Sequence, residues 1–299
     1  MMNICFPHSV GFCPAAALKP ARILGFLLCL AVFACHPSVS RALTLVLPKT
    51  AYQGDMILGL TEPNSEVRLQ DSILPVGPQG HFVLAVPRNR KTDLKVTARR
   101  GKDAVSRLIR VWAYSWRTQS IKGLLKRYVT PNAEALARIR SDAQTVRSIR
   151  RRPPSTAPLF IQKGFVQPVA GRVSGIFGSQ RILNGVPRSP HTGVDIAAPA
   201  GTPVHCPADG IVTLTAGNMF LMGNTLMVDH GLGVSSIFIH LQRFHVKVGD
   251  RVFQGDVIAD VGKTGRATGP HLHWGVSVGE TAIDPLRLLK QRFRSTGGP

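Results

Sequence analysis

Acidic residues are scarce in this chain. Its 299 residues carry 16 Asp and Glu against 37 Lys and Arg, a formal net charge of +21. Such an excess favours polyanionic surroundings, such as anionic cell-envelope polymers or lipid headgroups, and names no chemistry by itself. Aromatics are few, with 3 Trp and 3 Tyr, and no basic run is interleaved with them, which excludes the stacking platform of a single-strand nucleic-acid binder. Cysteine is almost missing beyond the first 42 residues, because Cys5, Cys13, Cys29 and Cys35 all precede Ala42. Cys206 alone can form neither an intrachain disulfide nor a thiolate metal cluster, and reads as a small buried hydrophobe. Long apolar runs are also lacking. Ile23–Cys35 is too short to span a bilayer comfortably.

That run follows Lys19 and Arg22 and precedes the small residues Ser40 and Ala42, the layout of a secretory signal peptide over residues 1–42. Export to a periplasm or the exterior is the expectation, and Phe33 beside Cys35 disfavours lipoprotein anchoring there. Removing Lys19, Arg22 and Arg41 takes three positive charges and leaves +18.

Residues 43–117 read as short strands broken by "EPNS", "GPQG" and "RRGKD", which predicts a small antiparallel β-sandwich of immunoglobulin-like type. Residues 118–163 predict a connector. A helix is expected there with Thr130 as N-cap and Pro131 at its first position, carrying Leu136, Ile139, Ala143, Val146 and Ile149 on one face, before a Pro-rich linker. Residues 164–290 return to Gly-punctuated strands, and 291–299 form a tail. The fold class is mainly β throughout.

Seven of the eight histidines beyond residue 42 lie in the 164–290 segment. "SPHTGVD" sets His191 four residues before Asp195, "IFIHL" carries His240, and "GPHLHWGV" puts His271 and His273 on one face of a strand. Any one of these alone is more simply structural. Together, two imidazoles and a carboxylate make a ligand set for catalytic zinc with a position left for water. The His-Glu-x-x-His helix is absent, so a proton acceptor has to come from elsewhere. If only one of His271 and His273 holds metal, its neighbour stands ready as the base. His205, His230 and His245 lack a second ligand at useful spacing and read as structural.

The order "HTGVD…IHL…GPHLHWGV", with "APAGTPVHCPADGIVT" and "VKVGDRVFQGDVIADVGKTGRATG" between, resembles the lysostaphin-type (LytM-type) zinc metallopeptidases, over about residues 165–287. The resemblance implies an antiparallel β metallopeptidase domain and one zinc ion held by His191, Asp195 and His273. It implies His271 as general base or proton shuttle and a protonated His240 as the second catalytic histidine beside the oxyanion. It also implies hydrolysis of peptide cross-links on peptidoglycan stems. Relatives that lost ligands act as non-enzymatic activators of partner cell-wall enzymes, and the complete ligand set here argues against that alternative. One departure is Phe238, where the family usually has tyrosine, which puts a hydroxyl contact to substrate in question. The "VKVGDRVFQGDVIADVG" stretch also resembles biotinyl and lipoyl carriers, but no lysine is presented at a hairpin tip, and shared β-architecture does not carry function.

Overall fold

The strand-forming stretches between Leu45 and Trp112 pair into two facing sheets. The computed structural model describes residues 42–291, so the expected signal peptide, up to residue 41, and the tail beyond 291 lie outside the described residues. One sheet joins Leu45–Val46, Met56–Thr61 and His81–Ala85. The other runs in the order Thr50–Tyr52, Asp103–Trp112, Leu94–Arg100, Glu66–Leu69, Ser72–Leu74. Ile57, Phe82, Leu84, Leu94, Val96 and Ile109 fill the space between them. His81–Ala85 is buried at every position. The reason is visible in its alternate residues: Phe82 and Leu84 enter the sandwich core, while Val83 and Ala85, with Met56, pack into the core of the 164–290 segment. This small sheet therefore lies between two cores, and residues from Ala42 onward form one contact unit.

The connector contains a strand as well as a helix. Thr118–Ile121 pairs in parallel with Gln180–Leu183, which turns back on Val186–Arg188 through Asn184 and Gly185, both in the left-handed region. The main helix is Ala133–Arg150, and its N-cap is Asn132, whose side chain accepts from the Ala135 amide, rather than Thr130. Thr130 is engaged in closing the preceding turn, with its N–H donating to the Lys126 carbonyl. Val146 and Ile149 dock the helix on Met219, Met227, Ile237 and Ile239. Arg138 to the Asn218 carbonyl and the Phe220 amide to Asp142 fasten it further. Among the described residues no helix is long and apolar enough to cross a membrane.

The largest sheet has ten strands, with the path Arg172–Gly175, Val194–Ala197, His271–Val278, Val234–Phe244, Gly223–Gly231, Gly210–Met219, Arg251–Val252. Its antiparallel neighbours bring three distant motifs side by side, because Val194–Ala197 and Val234–Phe244 flank His271–Val278. Ile196, Leu226, Phe238, Leu272 and Trp274 are fully buried beneath them.

Candidate metal centre

Cross-strand register builds the centre. Asp195 lies directly opposite His273, and Ile239 opposite His273 on its other side. His191 is held just before the Asp195 strand by backbone hydrogen bonds with Gly178 and Ser179. Three atoms converge: His273 Nδ1 is 2.8 Å from Asp195 Oδ1, His191 Nε2 is 3.1 Å from the same oxygen, and the two imidazole nitrogens are 2.9 Å apart. All three residues are buried. Gly175 makes room for them, since a Cβ there would stand 2.5 Å from Asp195 Oδ2.

The donor chemistry fits a cation. His191 Nδ1 faces the Ile176 carbonyl at 3.0 Å and must donate to it, so in the neutral imidazole Nε2 carries a lone pair aimed at a carboxylate oxygen. Two facing acceptors repel unless positive charge lies between them. Burial opposes the charge on Asp195, but donors or positive charge set against it at the His191 and His273 imidazoles outweigh burial and hold its carboxyl well below the usual range. Burial pushes the His273 imidazole down to about 4, and the single N–H of the neutral ring, at Nδ1, can satisfy Asp195 or His191 but not both. A divalent ion with nitrogen and oxygen ligands reconciles the set.

Two more imidazoles stand beside it. His271 Nε2 is 4.0 Å from Asp195 Oδ1, outside the convergent three, and its Nδ1 faces the Gly269 carbonyl at 2.9 Å. The His240 ring is 4.7 Å from the His271 ring, and its Nδ1 donates to the Thr264 carbonyl at 2.7 Å. Strand alternation would send His240 to the same face as Phe238, into the core. A bulge opposite Asn224 and Leu226, with His240 at φ 65°, turns it to the groove face instead. Phe238 remains in the core against Trp274, so the residue that departs from the family pattern does not face substrate. Burial, and then the charge of His271 and His273, push His240 down to about 3. It is neutral at rest, with an acceptor at Nε2, and the protonated His240 implied by the resemblance would have to form during turnover.

The five residues line a groove of about 1010 Å³, walled on one side by the connector through Gln119, Tyr128 and Leu136. The other histidines lie apart. His205 faces the Gly255 carbonyl, His245 pairs with Asp260, and His230 lies in a strand, sealed in the core. Arg181 and Arg188 escaped the sequence reading, although the Asn184-Gly185 dipeptide is a hairpin signal that pairs them across two strands.

Comparison with known proteins agrees with this geometry. The model of Peptidase family M23 matches residues 189–285. The DD-carboxypeptidase/endopeptidase Mpg of Neisseria meningitidis is 44% identical over 98 residues, which are 33% of this chain and 22% of Mpg. The peptidoglycan DD-endopeptidase ShyC of Vibrio cholerae is 42% identical over 129 residues, 42% of this chain and 29% of ShyC. This chain thus spans less than a third of either relative. A crystal structure from Pseudomonas aeruginosa named for peptidase M23 is 30% identical, with a TM-score of 0.62, and the match covers 80% of this chain and 94% of that one. On the strength of that near full-length likeness and of the matched segment, which contains every residue of the centre, the chain belongs to peptidase family M23.

Proposed function

We propose that the protein is an exported zinc metalloendopeptidase that hydrolyses peptide cross-links of bacterial peptidoglycan. The observation that carries this reading is the convergence of His191 Nε2, Asp195 Oδ1 and His273 Nδ1, with two further imidazoles left outside the cluster. The name of ShyC supplies the substrate class, and that of Mpg the endopeptidase activity. The apolar leader and the +18 charge support delivery to the periplasm or exterior, among anionic envelope polymers.

His191, Asp195 and His273 would hold one zinc ion, which when bound supplies Lewis-acid polarisation of a carbonyl and a more acidic water. The chain's own residues do the rest. His271, with Nδ1 tied to the Gly269 carbonyl, turns Nε2 toward the space beside Asp195 and takes the proton of the attacking water. It later returns that proton to the leaving amine. His240, fixed by Thr264, is an acceptor at rest and becomes a donor to the oxyanion side only after taking a proton from solvent, which it gives back when product leaves. The connector wall narrows the groove and excludes water from one side of it.

The test is release of new amino groups from purified peptidoglycan by the full mature chain. Zinc-loaded wild type should release them, and chelated wild type and His271→Ala should not. Absence of release by the zinc-replete protein would refute the enzyme reading in favour of a non-catalytic regulator of partner cell-wall enzymes.

A further inference from the structure

The sheet beside the metal centre carries a polar row that the peptidase chemistry does not use. Gln119, Arg181 and Arg188 are direct cross-strand partners: Arg181 pairs with Gln119 on one side and Arg188 on the other. Directly opposite residues put their side chains on one face, and all three line the groove. Two arginines opposite one another destabilise a sheet unless anions compensate them, and Asp195 does so for Arg181. Arg181 spends one Nη on Asp195 Oδ2 at 2.5 Å, but its Nε is buried with no partner among the described residues. Gln119 Oε1 is likewise buried and unpartnered, while its Nε2 donates to the Ser174 carbonyl. Arg188 is held in place by one hydrogen bond, to the Val129 carbonyl.

From the opposite side, the Gly262–Gly269 loop brings Arg266 to the same groove. Its backbone is fixed by the Leu221 carbonyl. Burial lowers its guanidinium pKa, and the charges of Arg181 and Arg188 lower it further, with Asp195 as the one opposing acid. The acids that line the groove are Asp195, committed to the histidine cluster, and Asp142, which takes the Phe220 amide. Three guanidiniums thus crowd a site whose carboxylates are already engaged.

We propose that Arg188 and Arg266, backed by Arg181, form a carboxylate-binding subsite beside the metal centre. The preferred scissile bond is then one whose neighbouring residue carries a free carboxylate. Guanidinium–carboxylate pairs are planar, bidentate and charge-assisted. The subsite rests on the peptidase reading for its occupant, an acidic peptide rather than a neutral one such as oligoglycine.

The experiment uses matched synthetic cross-linked peptides with the carboxylates beside the scissile bond free, amidated at the chain end only, or amidated at the side chain only. Amidating the recognised carboxylate should lower wild-type kcat/KM roughly tenfold to hundredfold, as expected for loss of a charged hydrogen-bonded pair. The arm that shows the loss identifies which carboxylate is bound. In Arg266→Gln and Arg188→Gln that ratio should fall to within about threefold of one, and Arg266→Lys should recover part of it. Equal cleavage of all peptides by wild type, or full wild-type discrimination in both Gln variants, overturns the subsite. Calorimetric binding of the same peptides to the His271→Ala protein separates the two readings. A carboxylate preference in binding with no cleavage by wild type keeps the subsite and refutes the peptidase. Cleavage without any preference does the reverse.

Discussion

Acidification should destabilise this protein through one buried imidazole far from substrate. His230 is fully buried, its Nδ1–H donates to the Asp209 carbonyl at 2.9 Å, and its Nε2 accepts from the Ser236 hydroxyl at 2.8 Å. Ser236 Oγ in turn accepts from Trp274 Nε1 at 3.2 Å. A proton on Nε2 would set two donors against the same hydroxyl oxygen and strand the hydroxyl hydrogen. Burial accordingly pushes the imidazole from 6.5 down to about 4. Because the folded pKa is the lower one, the unfolded chain binds the extra proton between those values, and stability falls as pH falls through that window. The full loss is about 3 kcal/mol near pH 4 and about 2 kcal/mol by pH 5, at 1.36 kcal/mol per unit. Urea unfolding in chelator, followed by tryptophan fluorescence from pH 7.5 to 4.5, should show it. His273 and His240 shift the same way and contribute equally to wild type and to His230→Gln, so the difference between the two proteins isolates His230. A difference that stays constant within about 0.5 kcal/mol from pH 7 to 5 would refute the assignment.

Other outcomes follow from particular contacts. Asp195→Ala or His273→Ala should reduce bound zinc, measured by elemental analysis after dialysis, to a small fraction of the wild-type content, since each removes one of the three converging ligand atoms. Cys206 is buried with its thiol pushed up to about 12, chiefly by burial, so thiol reagents should label it only after denaturation. In Gly59→Ala the new Cβ would lie 2.2 Å from Phe82 Cζ, and the displaced ring should cost about 1–3 kcal/mol, read as a lowered Tm. Removing the helix cap with Asn132→Ala should cost about 1 kcal/mol, whereas Thr130→Ala should leave the helix start unchanged in amide-exchange profiles.

The strands were legible where local pattern decides them. The "HLHWGV" stretch falls inside an observed strand, and the same-face pairing of His271 and His273 is what lets one join the cluster while the other stands beside it. Legibility failed where distant contacts decide. Nothing local in "TQSI" shows that it pairs with residues 62 positions later, and so the groove wall with Gln119 was not foreseen. Period two also misdirects at His240, because the bulge reverses its face and only the tertiary register with Asn224 and Leu226 creates that bulge. Thr130 and Asn132 are both good capping residues, and the preceding short helical turn, not propensity, selects between them.

The sheet of Leu45–Val46, Met56–Thr61 and His81–Ala85 has a consequence for how this protein can be taken apart. A strand whose two faces feed two cores acts as a shared wall, and neither room stands once it is pulled out. Deleting the first 117 residues would expose the side of the peptidase core that Met56, Val83 and Ala85 cover. Cutting at 163 would also strip away the strand that carries Gln119. The family-matched segment is then not a detachable cassette, and heating the protein should melt sandwich and peptidase together, in one calorimetric transition rather than two.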